Sequence, residues 1–304
     1  MIIQHIKHKN IDFKKWDQTV LASEIPFVFA QSFYLNATCP YWDALVIGDY
    51  ESIFPLPLKT KYGITYLPQP PFTSQLGVFG KVTMEREQLF FNYINQKYRL
   101  IELEINHINA FQSEFSETKK TFVINYKKEY SFNQNTKRNI HKALELGLTV
   151  KHVDTNDIIP LSNQYITPFL HKQVGLSLST IQKLTHLLQL SIINKQLHTF
   201  KVVDKQGDLK ALGHFITNGI HTVYLKGTNT DKKENSGSSH LLMQHAIEYF
   251  KHNSLLFDFG GGNNVGLANY YKGFGAEEMN YQLIKKNNLF FLINSLKNRF
   301  KKTL

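Results

Sequence analysis

"LLFDFGGGNNVGLANYYKGFGAEEMNYQLI", residues 255–284, carries an apolar run into three consecutive glycines, two asparagines, a segment with paired tyrosines, a second glycine turn and another apolar run. "LLFDFGG" and "MNYQLIKK" have the pattern of strands, and the glycine turns set the tyrosine segment apart from both. Upstream, "SGSSHLLMQHAIEYFKH" (236–252) has helical periodicity. It follows three strand-like segments, "HTFKVVD" (198–204), "LKALGHFIT" (209–217) and "HTVYLKGTNT" (221–230), joined by the hairpin turns "KQGD" and "NGI". "LTVKHVD" (148–154) is a further strand, and two helices, "IIPLSNQYITPFLHK" (158–172) and "STIQKLTHLLQLSIINK" (179–195), follow it.

The first half has a similar order. A strand at Ile2 to Ile6 and helical "DFKKWDQTVLAS" (12–23) precede strands at "DALVIG" (43–48) and "ESIFPLPLKT" (51–60). The proline-rich "YLPQPPFTSQLGVFG" (66–80), a helix at "EREQLFFNYINQKYR" (85–99) and strands at "LIELEIN" (100–106) and "TFVINY" (121–126) complete it. Two copies of one α+β unit, each with a mixed sheet, are the predicted architecture, although residue identities do not repeat. Between the halves, Asn135 or Thr136 can cap a helix whose Ile140, Ala143 and Leu144 share a face and which Gly147 can end. The predicted boundary lies just after that glycine, giving units 1–147 and 148–304.

Composition bounds the function. At 304 residues with 42% hydrophobic and 19% charged residues the chain reads as globular. No apolar run approaches the roughly 18 residues needed to cross a bilayer, and the start lacks an export-signal pattern, so a cytoplasmic location is expected. The single Cys39 excludes an intramolecular disulfide and a multi-cysteine zinc cluster. His5 and His8, and His240 and His245, lack the i, i+4 spacing of a zinc protease, and no metal is expected. The net charge of +11, spread along the chain with clusters at 137–142 and 297–302, suits nucleic acid, anionic membrane surfaces and phosphorylated small molecules alike. No aromatic-basic RNA signature is evident along the chain.

The turn before the helix at 236–252 has the residues of an anion site: Ser236, Gly237, Ser238, Ser239 and His240 offer main-chain N–H groups, with simple helix capping as the alternative. A strand, this turn, an amphipathic helix, a second strand and a short tyrosine-bearing helix together resemble the GNAT acyltransferase fold. In that family the turn holds the pyrophosphate of acyl-CoA and the flanking strands splay around its pantetheine arm. The resemblance implies donor contacts from Lys226, Gly227, the turn and Asn263. The family's turn opens with glutamine or arginine and closes with glycine or alanine. This chain reads "ENSGSS", with Glu234 first and Ser239 last.

A second resemblance is more specific. "TKRNIHKALELGLTV" (136–150) and the opening segment are similar to Fem-type aminoacyltransferases, which are tandem GNAT units. Asp258, Phe259, Gly260 and Gly261 match their strand end, and Tyr270, Phe274 and Gly275 match an aromatic-lysine-x-x-phenylalanine-glycine turn. The lysine of that turn is Tyr271 here, with Lys272 one place later. The resemblance implies transfer of an acyl group from acyl-CoA, or of an aminoacyl group from aminoacyl-tRNA, to an amine acceptor such as a cell-envelope precursor or sugar.

Within that reading, Gly260, Gly261 and Lys272 contact substrate, Asn264 offers an amide at the strand edge, and Tyr270 or Tyr271 is the general acid. Both tyrosines can equally be packing aromatics. His214 could accept a proton from the attacking amine if it faces the cleft; a hydrogen-bonded strand histidine is the alternative. Tyr66, Gln69 and Phe72 in the proline-rich stretch are candidate acceptor contacts, or ordinary loop residues. A dinucleotide fingerprint fails because Val265 stands where the third glycine is required. The competing reading is a GNAT-like binding protein without catalysis, for nucleic acid or an anionic envelope polymer.

Overall fold

The structure, a computed structural model, describes residues 1–109, 116–230 and 235–288; Glu234 and the basic cluster at 297–302 lie outside them. Two compact units divide the chain. The first takes residues 1–24, 29–119 and the described residues from Asn280; the second takes 25–28 and 120–279. A cut after Gly147 differs from this division because long-range pairing, which no local pattern encodes, assigns residues 120–147 to the second unit.

The first unit contains, in chain order, β1 (Ile3–Ile6), α1 (Phe13–Leu21), α2 (Ser32–Thr38), β2 (Asp43–Ile47), β3 (Ser52–Leu56), β4 (Lys59–Lys61), β5 (Ile64–Tyr66), β6 (Phe79–Gly80), α3 (Met84–Lys97) and β7 (Leu100–Ile105). One antiparallel sheet has the order β1-β2-β3-β6. β2 and β3 are buried at every position, which is why they read as continuous apolar runs rather than alternating ones. Asp12 caps α1 by accepting from Lys15 N (3.0 Å), and Thr83 caps α3 by accepting from Arg86 N (3.3 Å). The strand expected over 51–60 breaks at Pro57, which has no N–H to give a ladder, and the chain resumes as β4. α2, β5 and β6 carry too few residues to show a period and were not expected.

The second unit holds most of β8 (Ser116–Asn125), α4 (Gln134–Glu145), β9 (Thr149–His152), α5 (Thr155–Leu161), α6 (Thr167–Lys172), α7 (Leu178–Ile193), β10 (Leu197–Val203), β11 (Leu209–Thr217), β12 (His221–Asn229), α8 (Ser238–Phe250), β13 (Leu256–Asp258) and α9 (Val265–Lys272). The last strand, β14 (Glu277–Asn287), begins in this unit and ends in the first, where Leu283 pairs with Glu104 of β7. The unit's strands run β8-β13-β12-β11-β10-β9, with β12 and β13 parallel and the other pairs antiparallel. A π-helical turn at Ser162–Ile166 separates α5 from α6, where the sequence pattern had one helix. Phe122, Phe200, Phe215 and Phe257 share one core cluster with Phe250 of α8. α4 is capped by Asn133, which accepts from Thr136 N (2.8 Å), rather than by Asn135 or Thr136. Its Ile140 and Ala143 are buried while Leu144 is 55% exposed, so the apolar stripe is narrower than predicted.

Candidate active site

β12 and β13 pair over three residues only, His221 with Leu256, Thr222 with Phe257 and Val223 with Asp258. β13 then stops while β12 runs on to Asn229, still paired with β11 on its other edge. Just beyond the end of that ladder the β11–β12 register slips: His214 faces Lys226 and Phe215 faces Tyr224, leaving Leu225 as the extra residue of a β-bulge. Such a bulge bends the strand, raises its twist and leaves one residue out of the ladder. The parallel ladder thus ends at Val223 and Asp258, with Gly260 still packed close to Tyr224 O, and β12 beyond it has no partner strand on that edge.

A cavity of about 280 Å³ lies on this stretch of β12. Tyr224, Gly227, Thr228 and Asn229 of β12 form one wall, and Ser239, Leu242 and Met243 of α8 another. Leu267, Tyr270 and Tyr271 of α9, with Phe169 of α6, complete it. Gly227 is required by close approach: a Cβ there would meet Leu212 O at 2.7 Å and the Tyr224 hydroxyl at 2.3 Å. Of the sequence-nominated residues, the structure gathers Gly227, Ser239, Tyr270 and Tyr271 around this one space.

The two tyrosines differ. Tyr270 donates its hydroxyl to Ser239 O (2.8 Å), tying α9 to the first turn of α8. Tyr271 is buried against Phe259, ring centroids 4.5 Å apart, and its hydroxyl makes no hydrogen bond among the described residues. Burial, and then the negative charge of Asp258, push that hydroxyl's pKa up to about 12, so it stays protonated at neutral pH.

Asp258, fully buried at the end of β13, organises the glycine turn. Its Oδ1 accepts from the Thr121 hydroxyl (2.6 Å) and Gly260 N (2.8 Å), while Gly261 N donates to Thr121 Oγ1 (3.2 Å). His221 Nε2 lies 3.5 Å from Asp258 Oδ2, and its Nδ1 accepts from Val28 N (3.3 Å), which fixes the proton on Nε2. Gly260 and Gly261 thus have their N–H groups committed within the turn. Sequence reasoning matched Asp258 to a motif but assigned it no role, since Thr121 and His221 stand 137 and 37 residues away in the chain.

The serine-rich bend departs from the predicted open anion cradle. Gly237 takes φ 82°, and a Cβ on it would meet Asn139 O of α4 at 2.1 Å. Ser236 and Ser238 are buried; Ser238 N donates to Ser236 Oγ (3.2 Å), and His240 N and Leu241 N both donate to Gly237 O (2.9 and 3.0 Å). Lys142 of α4 reaches across to Asn235 O (2.7 Å). α4 thus packs against one side of the bend, and two of the donors expected for a pyrophosphate, Ser238 N and His240 N, already bond within the chain. His240 packs its ring edge on Tyr270, centroids 4.9 Å apart, and burial lowers its pKa.

The remaining nominees lie apart from the cavity wall. His214 is fully buried rather than facing a cleft, with Nδ1 2.9 Å from Thr199 Oγ1; burial lowers its pKa to about 3, which leaves a poor base for an ammonium group. Asn263 Oδ1 accepts from Lys120 N (3.1 Å), and Asn264 caps α9 by accepting from Leu267 N (3.1 Å), so both amide oxygens serve the backbone. Lys226 is half-buried, with its amine pKa lowered by burial. Lys272 is exposed, 3.6 Å from Glu278 and 5.5 Å above the Phe122 ring. Among the described residues no group of three or more His, Cys, Asp or Glu is placed to hold a metal ion, and no helix is long and apolar enough to cross a membrane.

In the first unit, Gln69 joins Thr73 O (2.8 Å) to Glu104 N (2.9 Å), which makes it a brace between loop and strand. Phe72 O accepts from the Tyr34 hydroxyl, and Tyr66 ends β5 half-buried. Beside Gln69, burial raises the Glu104 carboxyl from 4.5 to about 7, although the Tyr281 hydroxyl 3.3 Å away opposes the shift. A raised carboxyl pKa means the folded state holds a proton the unfolded chain has released, so stability falls as pH rises from about 4.5 to 7. Glu104→Gln is expected to be neutral near pH 4 and to stabilise by about 1–3 kcal/mol at pH 8. Urea unfolding at both pH values checks it; a variant less stable than wild type at pH 8 would refute the assignment.

No protein-family model matches the chain, and no curated protein matches it in sequence. Solved structures do match its fold. The chain superposes on a crystal structure of FemX with a TM-score of 0.67 at 13% identity, covering 96% of this chain and 100% of that one. It superposes on the C-terminal domain of a putative lysylphosphatidylglycerol synthetase from Agrobacterium fabrum with a TM-score of 0.59 at 9% identity, covering 94% and 95%. A tandem GNAT protein of the clavulanic acid biosynthesis pathway gives 0.53 at 9%, covering 93% and 98%. The chain therefore has the mixed-sheet, tandem-GNAT fold of Fem-type proteins.

Proposed function

We propose that the chain is an acyltransferase whose reaction site is the cavity between β12, α8 and α9. The observation that carries this reading is the cavity on β12 beyond the end of its ladder with β13 and beside the Leu225 bulge, with an unengaged tyrosine hydroxyl at its wall. An extended acyl donor can lie along the unpaired edge of β12, and a main-chain N–H released by the bulge can polarise its carbonyl. The acceptor amine attacks the carbonyl carbon: the C–N bond forms, the bond to the leaving oxygen or sulfur breaks, and Tyr271 gives its proton to the departing atom. The proton lost by the amine restores the hydroxyl. Positioning contributes most of the acceleration.

Of the two donors, aminoacyl-tRNA is favoured over acyl-CoA. Two donors of the Gly237 bend already bond within the chain, which disfavours a pyrophosphate there, and the net charge of +11 suits RNA. The acceptor is an amine of a cell-envelope precursor or sugar. The same occupied donors favour the second reading, a GNAT-like binding protein, and product formation separates the two. Aminoacyl-tRNA at about 100 times its Kd is expected to stabilise the protein by about 2.7 kcal/mol in a thermal melt, with acetyl-CoA giving no shift. Incubation with an amine acceptor is expected to yield an amide detectable by mass. A shift with acetyl-CoA alone would reverse the donor order, and stabilisation by neither donor would overturn the transferase reading.

A further inference from the structure

At the other end of α8, a second and larger concavity of about 660 Å³ lies among residues 126–132, α4 and α8. Its lysines are Lys127, Lys128, Lys137 and Lys251. Lys128 is paired with Glu277 (2.7 Å), but Lys127, Lys137 and Lys251 form no ion pair among the described residues, although Glu129 and Glu248 line the same groove. Three exposed cations without a carboxylate partner keep their charge available to a ligand.

The groove also has an aromatic floor. Tyr130 stands 6.0 Å from Tyr126 and 6.2 Å from Phe132, centroid to centroid. Phe132 packs on Phe274 of the core (5.4 Å), and Tyr126 is tied by its hydroxyl to Ile247 O (2.7 Å). The rings are thus half-buried and fixed from behind, with Lys251 Nζ 5.9 Å above the Tyr130 ring centroid. A rigid aromatic face next to unpaired lysines is the combination that holds single-stranded nucleic acid, bases stacked and phosphates neutralised. The sequence reading had found no such signature, because Lys137 and Lys251 join the segment 126–132 only through folding.

We propose that this groove binds single-stranded RNA, with a base on Tyr130, phosphates on Lys127, Lys137 and Lys251, and the carboxylates of Glu129 and Glu248 accepting hydrogen bonds from exocyclic base amines. Carboxylates would repel a bare phosphate chain, but they can accept from cytosine N4. The inference goes beyond the transferase reading and does not depend on it: the groove binds RNA whether or not an acyl group is moved.

Fluorescence anisotropy with labelled oligo(rC) and oligo(rU) tests it on the full chain. With three phosphates neutralised, the log–log salt slope is expected to be about −2. Lys127→Glu combined with Lys251→Glu, both on the surface, is expected to weaken oligo(rC) binding at least about tenfold and to flatten that slope. Tyr130→Leu, which keeps an apolar side chain against the core, is expected to weaken it about five- to tenfold. Circular dichroism melts of each variant verify folding. Failure of the wild-type protein to bind oligo(rC), or unchanged affinity in the folded charge-reversal variant, overturns the site. Equal binding of oligo(rU), or no effect of Tyr130→Leu, overturns base recognition and leaves only a polyanion patch. Absence of acyl transfer by the wild-type protein, with its RNA binding intact, would count against the transferase reading alone.

Discussion

Tyr271→Phe is expected to lower turnover about 100- to 1,000-fold, the range lost when a positioned proton donor is removed. Its melting temperature should stay within about 1 °C of wild type, because the hydroxyl it removes makes no hydrogen bond among the described residues. Burial and the Asp258 charge keep the group protonated across the neutral range, so it is a poor nucleophile and suited to protonate a strongly basic leaving oxygen. Tyr270→Phe should behave in the opposite way. It removes the bond to Ser239 O, costing about 1 kcal/mol and so about 2–4 °C in melting temperature, with turnover changed far less. Steady-state rates with aminoacyl-tRNA and an amine acceptor, alongside thermal melts, check both. Turnover of Tyr271→Phe within about threefold of wild type would remove Tyr271 from the proton-donor role. A larger loss in Tyr270→Phe would transfer that role to its neighbour.

Asp258→Ala is expected to cost about 3–4 kcal/mol of unfolding free energy, the largest stability effect foreseen. Removing the carboxyl strips the acceptor from the Thr121 hydroxyl and Gly260 N and takes away the charge facing His221, all within a fully buried site. Gly261 N depends on the same unit through Thr121, so the whole glycine turn loses its anchor. Asp258→Asn retains an acceptor oxygen for Thr121 and Gly260 and should cost only about 1–2 kcal/mol. Urea denaturation measures both, and hydrogen exchange at Gly260 and Gly261 should quicken in the alanine variant before global unfolding does. If Asp258→Ala unfolds within about 0.5 kcal/mol of wild type, the network is not what holds the turn.

Much of this was legible in one dimension. Segments with a full period, such as α3, α7, α8, β11 and β12, fall within a few residues of their predicted places because 3.6- and 2-residue patterns are local properties of the chain. The "DFGG" and "YYKGFG" segments pointed to the tandem-GNAT fold that the superpositions bear out. Short elements failed: α2, β5 and β6 hold too few residues to display a period. Among the site candidates, Tyr270 and Tyr271 were nominated from residue type and Gly227 from the GNAT resemblance, and the three line one cavity. His214 takes its alternative reading, a buried, hydrogen-bonded strand histidine, because strand alternation gives two faces without saying which is sealed.

The sequence alone determined the order and type of the long elements, the basic charge and the kind of fold, since propensity, periodicity and composition act over a few residues at a time. Tertiary structure decided the rest. It placed Asp258 against Thr121 and His221, packed α4 against the Gly237 bend, ended the β12–β13 ladder after three residues and drew Lys251 over Tyr130. Each of these joins residues far apart in the chain, and such contacts arise from the collective burial of apolar surface, which fixes all the elements together and cannot be read from any one of them.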